Sequence, residues 1–323
     1  MSPIDALAML KTRNLLPPEP VAGIADVERS RPLSVHHELR ALLYVGVLLL
    51  ASGLGLLIYE HYEQIGDVAL IGGIAALCAV SFFFAWKNRP PLSAAATESR
   101  STFGDYALLL ACLLFLSLEG YAQYRFNVFG TRYGLATFLP AVLFLLLAYR
   151  FDHRGVLGMG LTALASWVGL TVRPLELRLK TNFFDEGTVW AALGLGTLLI
   201  GAALLLERRR IKPHFTDTLL TFAGNLVLLA LVAGVFNFDE RRWFYAPLLF
   251  GVCGLYEWLA RQRTSFLYTL MAMVYGYIGL TYLFFDLTNG LGWPTDAYLL
   301  YIVVTGVAAV AYLIRRYQAV TRI

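Results

Sequence analysis

The chain has 323 residues, 58% of them hydrophobic and only 15% charged, and a formal net charge of +4. A soluble domain carries about a quarter charged residues and needs them to cover its outside, so this composition excludes a water-soluble globule and requires lipid as solvent. The basic residues stand between apolar stretches, where they report orientation rather than a nucleic-acid partner.

Residues 1–40 read as a short cytoplasmic helical arm. Pro3 to Leu16 gathers Ile4, Leu7, Met9, Leu10 and Leu15 on one apolar side and is ended by Pro17 and Pro18, and a second short helix is expected from Pro20 to Arg29. The arm either caps the bundle or lies on the lipid surface.

Residues 41–323 read as a transmembrane helical bundle of about ten spans. These are expected near Ala41–Tyr59, Asp67–Trp86, Tyr106–Tyr124, Tyr133–Tyr149, Val156–Val172, Thr188–Leu206, Leu219–Phe236, Phe244–Ala260, Phe266–Phe285 and Ala297–Ile314. About 20 apolar residues cross a hydrocarbon core of about 30 Å. Backbone groups left unpaired in lipid are costly, and segments this long and unalternating are not barrel strands, so the fold class is all-α. The fourth and fifth spans are short enough for one to be tilted or re-entrant. Asn88 to Thr102 reads as a flexible inner loop.

With the N-terminus inside, 19 of the 26 Lys and Arg residues fall on the inner side and 7 on the outer, so both termini are expected in the cytoplasm. Arg208, Arg209, Arg210 and Lys212 form the strongest anchor. Glycines punctuate most spans and let helices approach closely. The first and sixth spans share a Gly- and Leu-rich texture and start on opposite sides, which raises an arrangement of two five-helix halves.

Several residues carry chemistry. The segment Tyr59 to Asp67, read as the first outer loop, gathers Glu60, His61, Glu63 and Asp67 without a neutralising cation, a donor set suited to a divalent metal or simply a solvated span end. Glu119 interrupts the third span, where it either reaches the interface and pairs with Gln123 or Arg125, or serves as a proton or cation site. Tyr268, Tyr275 and Tyr282 recur every seven residues on one face of the ninth span and either line a polar cavity or pack. Pro140, in the middle of the fourth span, should kink it. Asn225 is suited to an interhelical hydrogen bond, Glu257 and Arg261 to a helical pair, and Asp239 to Trp243 to a self-neutralising turn. Cys78, Cys112 and Cys253 each stand alone and read as small buried hydrophobes.

The opening LKTRNLLPPEPVAGIADVE, the first span and its sequel ALLYVGVLLLASGLGLLIYEHYEQIGDVALIGG resemble bacterial predicted membrane proteins of the domain of unknown function number twenty-one fifty-seven. The resemblance covers residues 9 to 86, with His61, Tyr62 and Glu63 standing where the family pattern has Asn, Trp and an acid. It implies a multi-pass protein of the bacterial cytoplasmic membrane and assigns no functional residue.

No GxxxxGK[ST], HExxH, GxSxG or CxxC pattern occurs, so neither an enzyme nor a cofactor is expected. Three functions are in play. The first is a small-molecule or ion transporter, with its site near Glu119, Pro140, Asn225 and the tyrosines. The second is a scaffold or envelope-assembly component that meets a membrane-protein partner or a second copy. The third is an intramembrane transferase with Glu119 or His61 as base.

Overall fold

A computed structural model of the chain describes residues 36–93, 102–130, 132, 134–172, 185–289 and 294–321. Among the described residues there are ten α-helices and no strand. They are α1 (His36–Ile65), α2 (Asp67–Lys87), α3 (Thr102–Phe126), α4 (Leu135–Phe151), α5 (Arg154–Val172), α6 (Glu186–Arg208), α7 (Thr216–Asn237), α8 (Arg242–Gln262), α9 (Phe266–Thr288) and α10 (Thr295–Thr321). The two helices expected in the arm, and most of the linker before α3, lie outside the described residues.

Nine of the ten expected apolar segments lie wholly within a helix; the fourth, expected from Tyr133, is helical only from Leu135. Length and apolarity alone qualify six of the ten as spans: α2, α3, α6, α7, α9 and α10. Helix α4 is apolar but 17 residues long, a rise of about 26 Å against a core of about 30 Å. Helix α8 opens on Arg242 and carries Glu257 and Arg261 among its apolar residues.

Chain order is largely spatial order. The pairs α2–α3, α4–α5, α6–α7 and α8–α9 pack as hairpins; α1 leans on α2 and α3, and α10 on α9. Helix α7 touches α5, α6, α8 and α9 and is the most enclosed, with 67% of its apolar stretch buried against 6% for α10. Helices α1 and α10 instead present Leu42, Leu49, Leu300 and Val307 outward, a surface that only lipid or another apolar partner suits.

The helices alternate in direction, and their ends are fastened to one another at two levels. At one level Trp86 packs on Phe151, Tyr149 on Phe215 and Phe266 on Tyr317, while Arg263 bonds Glu207 and Asp217. At the other, Arg125 bonds Asp67, Arg241 bonds Glu186 and Arg242 bonds Asp286. The first level holds Lys87, Arg89, Arg150, Arg208–Arg210 and Lys212 and is the basic end.

Glycines divide into two kinds. A Cβ on Gly224 would lie 2.4 Å from the Tyr256 ring, one on Gly196 2.4 Å from Val227, and one on Gly279 2.4 Å from Leu249. These are true close approaches between helices. A Cβ on Gly46, Gly53, Gly55, Gly72 or Gly73 would meet nothing within 4 Å among the described residues.

Candidate functional site

Glu119 sits on α3 about two turns before its end, on the face shared by Cys112 and Phe115, and Phe115 packs edge-on against Phe144 of α4. Only 9% of Glu119 is exposed, and among the described residues neither carboxyl oxygen has a hydrogen-bond partner. The expected pairing with Gln123 or Arg125 is not formed, because both are engaged elsewhere. Gln123 Oε1 accepts from Phe129 N at 2.8 Å and its amide donates to Asn127, closing the turn after α3. Arg125 donates to Asp67 at 2.6 Å.

That bond also bears on the outer acidic segment. The segment is not a loop: α1 continues to Ile65, and Asp67 is the first residue of α2. Asp67 accepts from Tyr121 Oη at 2.7 Å as well as from Arg125, so its oxygens are committed to α3. Glu60 is exposed on α1, and the side chains of His61 and Glu63 lie outside the described residues. Among the described residues no three metal-ligating side chains gather.

The tyrosine stripe faces α7, which runs parallel to α9 with α8 antiparallel beside both. Tyr268 Oη donates to Asp217 Oδ1 at 2.9 Å, and Tyr275 Oη donates to Asn225 Oδ1 at 3.0 Å. Tyr282 Oη accepts from Arg242 at 3.1 Å, and its ring stacks on Phe236. The stripe thus fastens two helices along their length. Asn225 spends its amide on Thr221 O in its own helix, at 2.9 Å. Glu119 does not join this set, so the sequence candidates fall into two separate places.

Pro140 is buried in the second turn of α4 rather than at mid-span, and it withholds the N–H that would have bonded Ala136. Pro247 lies inside α8 in the same way. The pair Glu257–Arg261 forms at 3.2 Å, and Glu257 also accepts from Tyr312 of α10 at 2.8 Å. The turn at 239–243 neutralises itself in part: Arg242 pairs with Asp239 inside it but also reaches Asp286 of α9 and Val235 O, and Arg241 reaches Glu186 of α6.

A further cluster at the basic end escaped sequence reasoning. Asp152 caps α4 in the left-handed region at φ 58°, and Lys212 adopts φ 45° in the turn before α7. Lys212 Nζ lies 2.9 Å from Asp152 Oδ1, and His214 Nε2 lies 2.5 Å from the same oxygen. The Nδ1 atom of His214 is buried without a partner among the described residues. Next to Asp152, His153 Nδ1 accepts from Val156 N at 3.1 Å and caps α5. Burial holds the His153 imidazole below its ordinary range, against the upward pull of Asp105. A short polar turn in a membrane chain reads as solvated, and only an acid and two histidines in turns otherwise rich in arginine hinted at this cluster.

Residues 9–157 match the family described as predicted membrane protein (DUF2157). The resemblance carried by the arm and the first two spans therefore extends through α3 and α4. It takes in Glu119, Asp152 and His153 but not Lys212, His214 or the tyrosine stripe. No curated protein and no solved structure matches the chain.

Proposed function

We infer that this multi-pass membrane protein is a transporter that couples protons or a small cation to its substrate at Glu119. The observation that carries this reading is the buried carboxyl of α3, shut from solvent and left without a partner among the described residues. A carboxyl in a membrane is costly to keep and is tied to ion pathways and proton relays. An unpartnered one changes charge or takes up a cation at the least structural expense. On this reading all ten helices cross a bacterial cytoplasmic membrane, the basic end faces the cytoplasm, and Pro140, on the helix that α3 meets through Phe115 and Phe144, eases movement beside the site. The tyrosine stripe then belongs to the fixed half of the bundle.

The test is flux in liposomes that enclose a pH-sensitive dye, driven by an imposed gradient of protons or of an alkali cation. Flux above that of empty liposomes, lost in Glu119→Gln and kept in Tyr275→Phe, supports the reading. Equal flux in Glu119→Gln and wild type removes Glu119 from the mechanism, and none above empty liposomes removes ion coupling.

The open glycines of α1 and α2 favour a second reading, a scaffold that packs against a membrane partner through Gly46, Gly53, Gly72 and Gly73. Cross-linking through single cysteines on these faces tests it: a specific adduct supports the scaffold, and none leaves these faces to lipid.

A further inference from the structure

We propose that a pocket between the basic ends of α2 and α4 binds the phosphate of an anionic phospholipid headgroup. Trp86, Lys87, Arg89, Pro90, Pro91 and Arg150 line a pocket of about 550 Å³. Among the described residues three cations stand in this lining and no carboxylate does. Among the described residues none of the three makes an ion pair, whereas Arg125, Arg241, Arg242, Arg261, Arg263 and Lys212 all do.

The two arginines come from different parts of the chain, Arg89 from the segment that follows α2 and Arg150 from the last turn of α4, and converge. The guanidinium carbons of Arg89 and Arg150 stand 4.4 and 5.5 Å from the centroid of the same ring, that of Trp86. Two like charges therefore share a space of about 10 Å, one Debye length at 0.1 M salt. The indole attracts each of them but does nothing to relieve their repulsion. The C-terminal ends of α2 and α4 account for cations at these positions; they do not account for a shared pocket without an acid. Arg150 donates from Nη1 to Pro90 O at 2.9 Å, which ties the segment after α2 to α4. The remaining donors of its five-donor fork stay available for a planar or tetrahedral oxyanion.

The surroundings select the lipid over a free ion. Val80, Phe83 and Phe84 are 64%, 71% and 44% exposed and stand one to two turns before Lys87 on α2, so an apolar strip runs from the middle of the helix up to the pocket. That strip is a track for an acyl chain below a seated headgroup and is of no use to inorganic phosphate. Trp86, itself 44% exposed, sits at the depth where tryptophan anchors a protein in the headgroup region. Basic pockets between spans on the cytoplasmic side suit anionic headgroups. The inference does not rest on transport.

The test uses the full-length protein stripped of lipid in a neutral detergent. Binding of short-chain phosphatidylglycerol, of phosphatidylcholine of equal chain length and of inorganic phosphate is measured by native mass spectrometry and by quenching of tryptophan fluorescence. Phosphatidylglycerol is expected to bind in preference to phosphatidylcholine, and Arg89→Gln with Arg150→Gln is expected to weaken it by about thirtyfold. Arg208→Gln with Arg209→Gln removes the same charge from exposed positions at the same end and is expected to change nothing. Lys at both pocket positions retains the charge without the fork and tests the site where the Gln pair fails to fold; it is expected to bind more weakly than wild type. Equal losses in the two Gln pairs would reduce the effect to surface charge and overturn the proposal. Saturation by inorganic phosphate with no preference between the lipids would overturn the lipid assignment, and unchanged binding in both pocket variants would overturn the site.

Discussion

The ammonium of Lys212 and the carboxylate of Asp152 meet at 2.9 Å with both side chains almost wholly shut from solvent, at 6% and 2% exposed. The two residues lie in separate turns, one between α4 and α5 and one between α6 and α7, so the contact closes the basic end across two hairpins. Breaking a buried pair by removing one partner leaves the other charge stranded, at a cost of about 3–5 kcal/mol. Asp152→Asn should therefore lower the thermal midpoint in detergent substantially. Adding Lys212→Met should restore most of the loss, and a double variant as unstable as the single one would show that the pair is not the source of the effect.

The contact between Tyr275 and Asn225 makes a smaller prediction. Interhelical hydrogen bonds in membranes are worth about 0.6 to 1.7 kcal/mol, and Tyr275→Phe should cost that much. Asn225→Ala in the same background should add little, because its amide bonds only its own helix and a sulfur. A denaturation series of the two singles and the double measures the coupling; simple additivity would mean the hydroxyl and the amide act independently.

Gly224 and Gly72 should respond in opposite ways to the same change. Ala at 224 drives its methyl into the Tyr256 ring, whose hydroxyl donates to Leu220 O at 2.8 Å, and overpacking of this kind costs about 1–3 kcal/mol. Ala at 72 meets open space and gains up to about 1 kcal/mol of helix propensity. Thermal midpoints in one detergent compare them directly.

His153 gives the protein an acid sensitivity. Its folded-state pKa lies below the ordinary value of 6.5, so as pH falls below that value the unfolded chain takes up a proton that the folded chain refuses. Stability from this residue is whole above about pH 6.5 and declines as pH falls toward the folded value. Asn at 153 preserves an acceptor for the Val156 N–H and cannot titrate. The fall in thermal midpoint between about pH 7 and pH 5 should be shallower in His153→Asn than in wild type, and equal slopes would place the sensitivity elsewhere.

Much of this architecture is legible in the sequence because lipid imposes a simple code. Asp67 and Lys87 bracket α2 since charges mark where hydrocarbon ends, and the spacing of Tyr268, Tyr275 and Tyr282 announces a single face. What the code omits is the partner. Nothing local says that the stripe meets Asp217 and Asn225, or that Gly224 is filled by Tyr256 while Gly72 is bare. Glu119 stood out because a carboxyl among leucines is anomalous. Asp152, Lys212 and His214 did not, because polar residues in a turn are what water would produce. Their burial comes from the packing of two hairpins, which no window of sequence contains.

The enclosure of α7 has a consequence for how the molecule is made. Its apolar surface is matched to α5, α6, α8 and α9 rather than to hydrocarbon, and two of those neighbours follow it in the chain. A nascent protein halted after Asn237 would hold the grooves at Gly224 and Gly234 empty, with Asn225 deprived of Tyr275 and Asp217 of Tyr268. Such a fragment shows lipid a face shaped for neighbouring helices rather than for acyl chains. The hairpin of α8 and α9 is thus the part of the chain whose arrival closes the surroundings of α7.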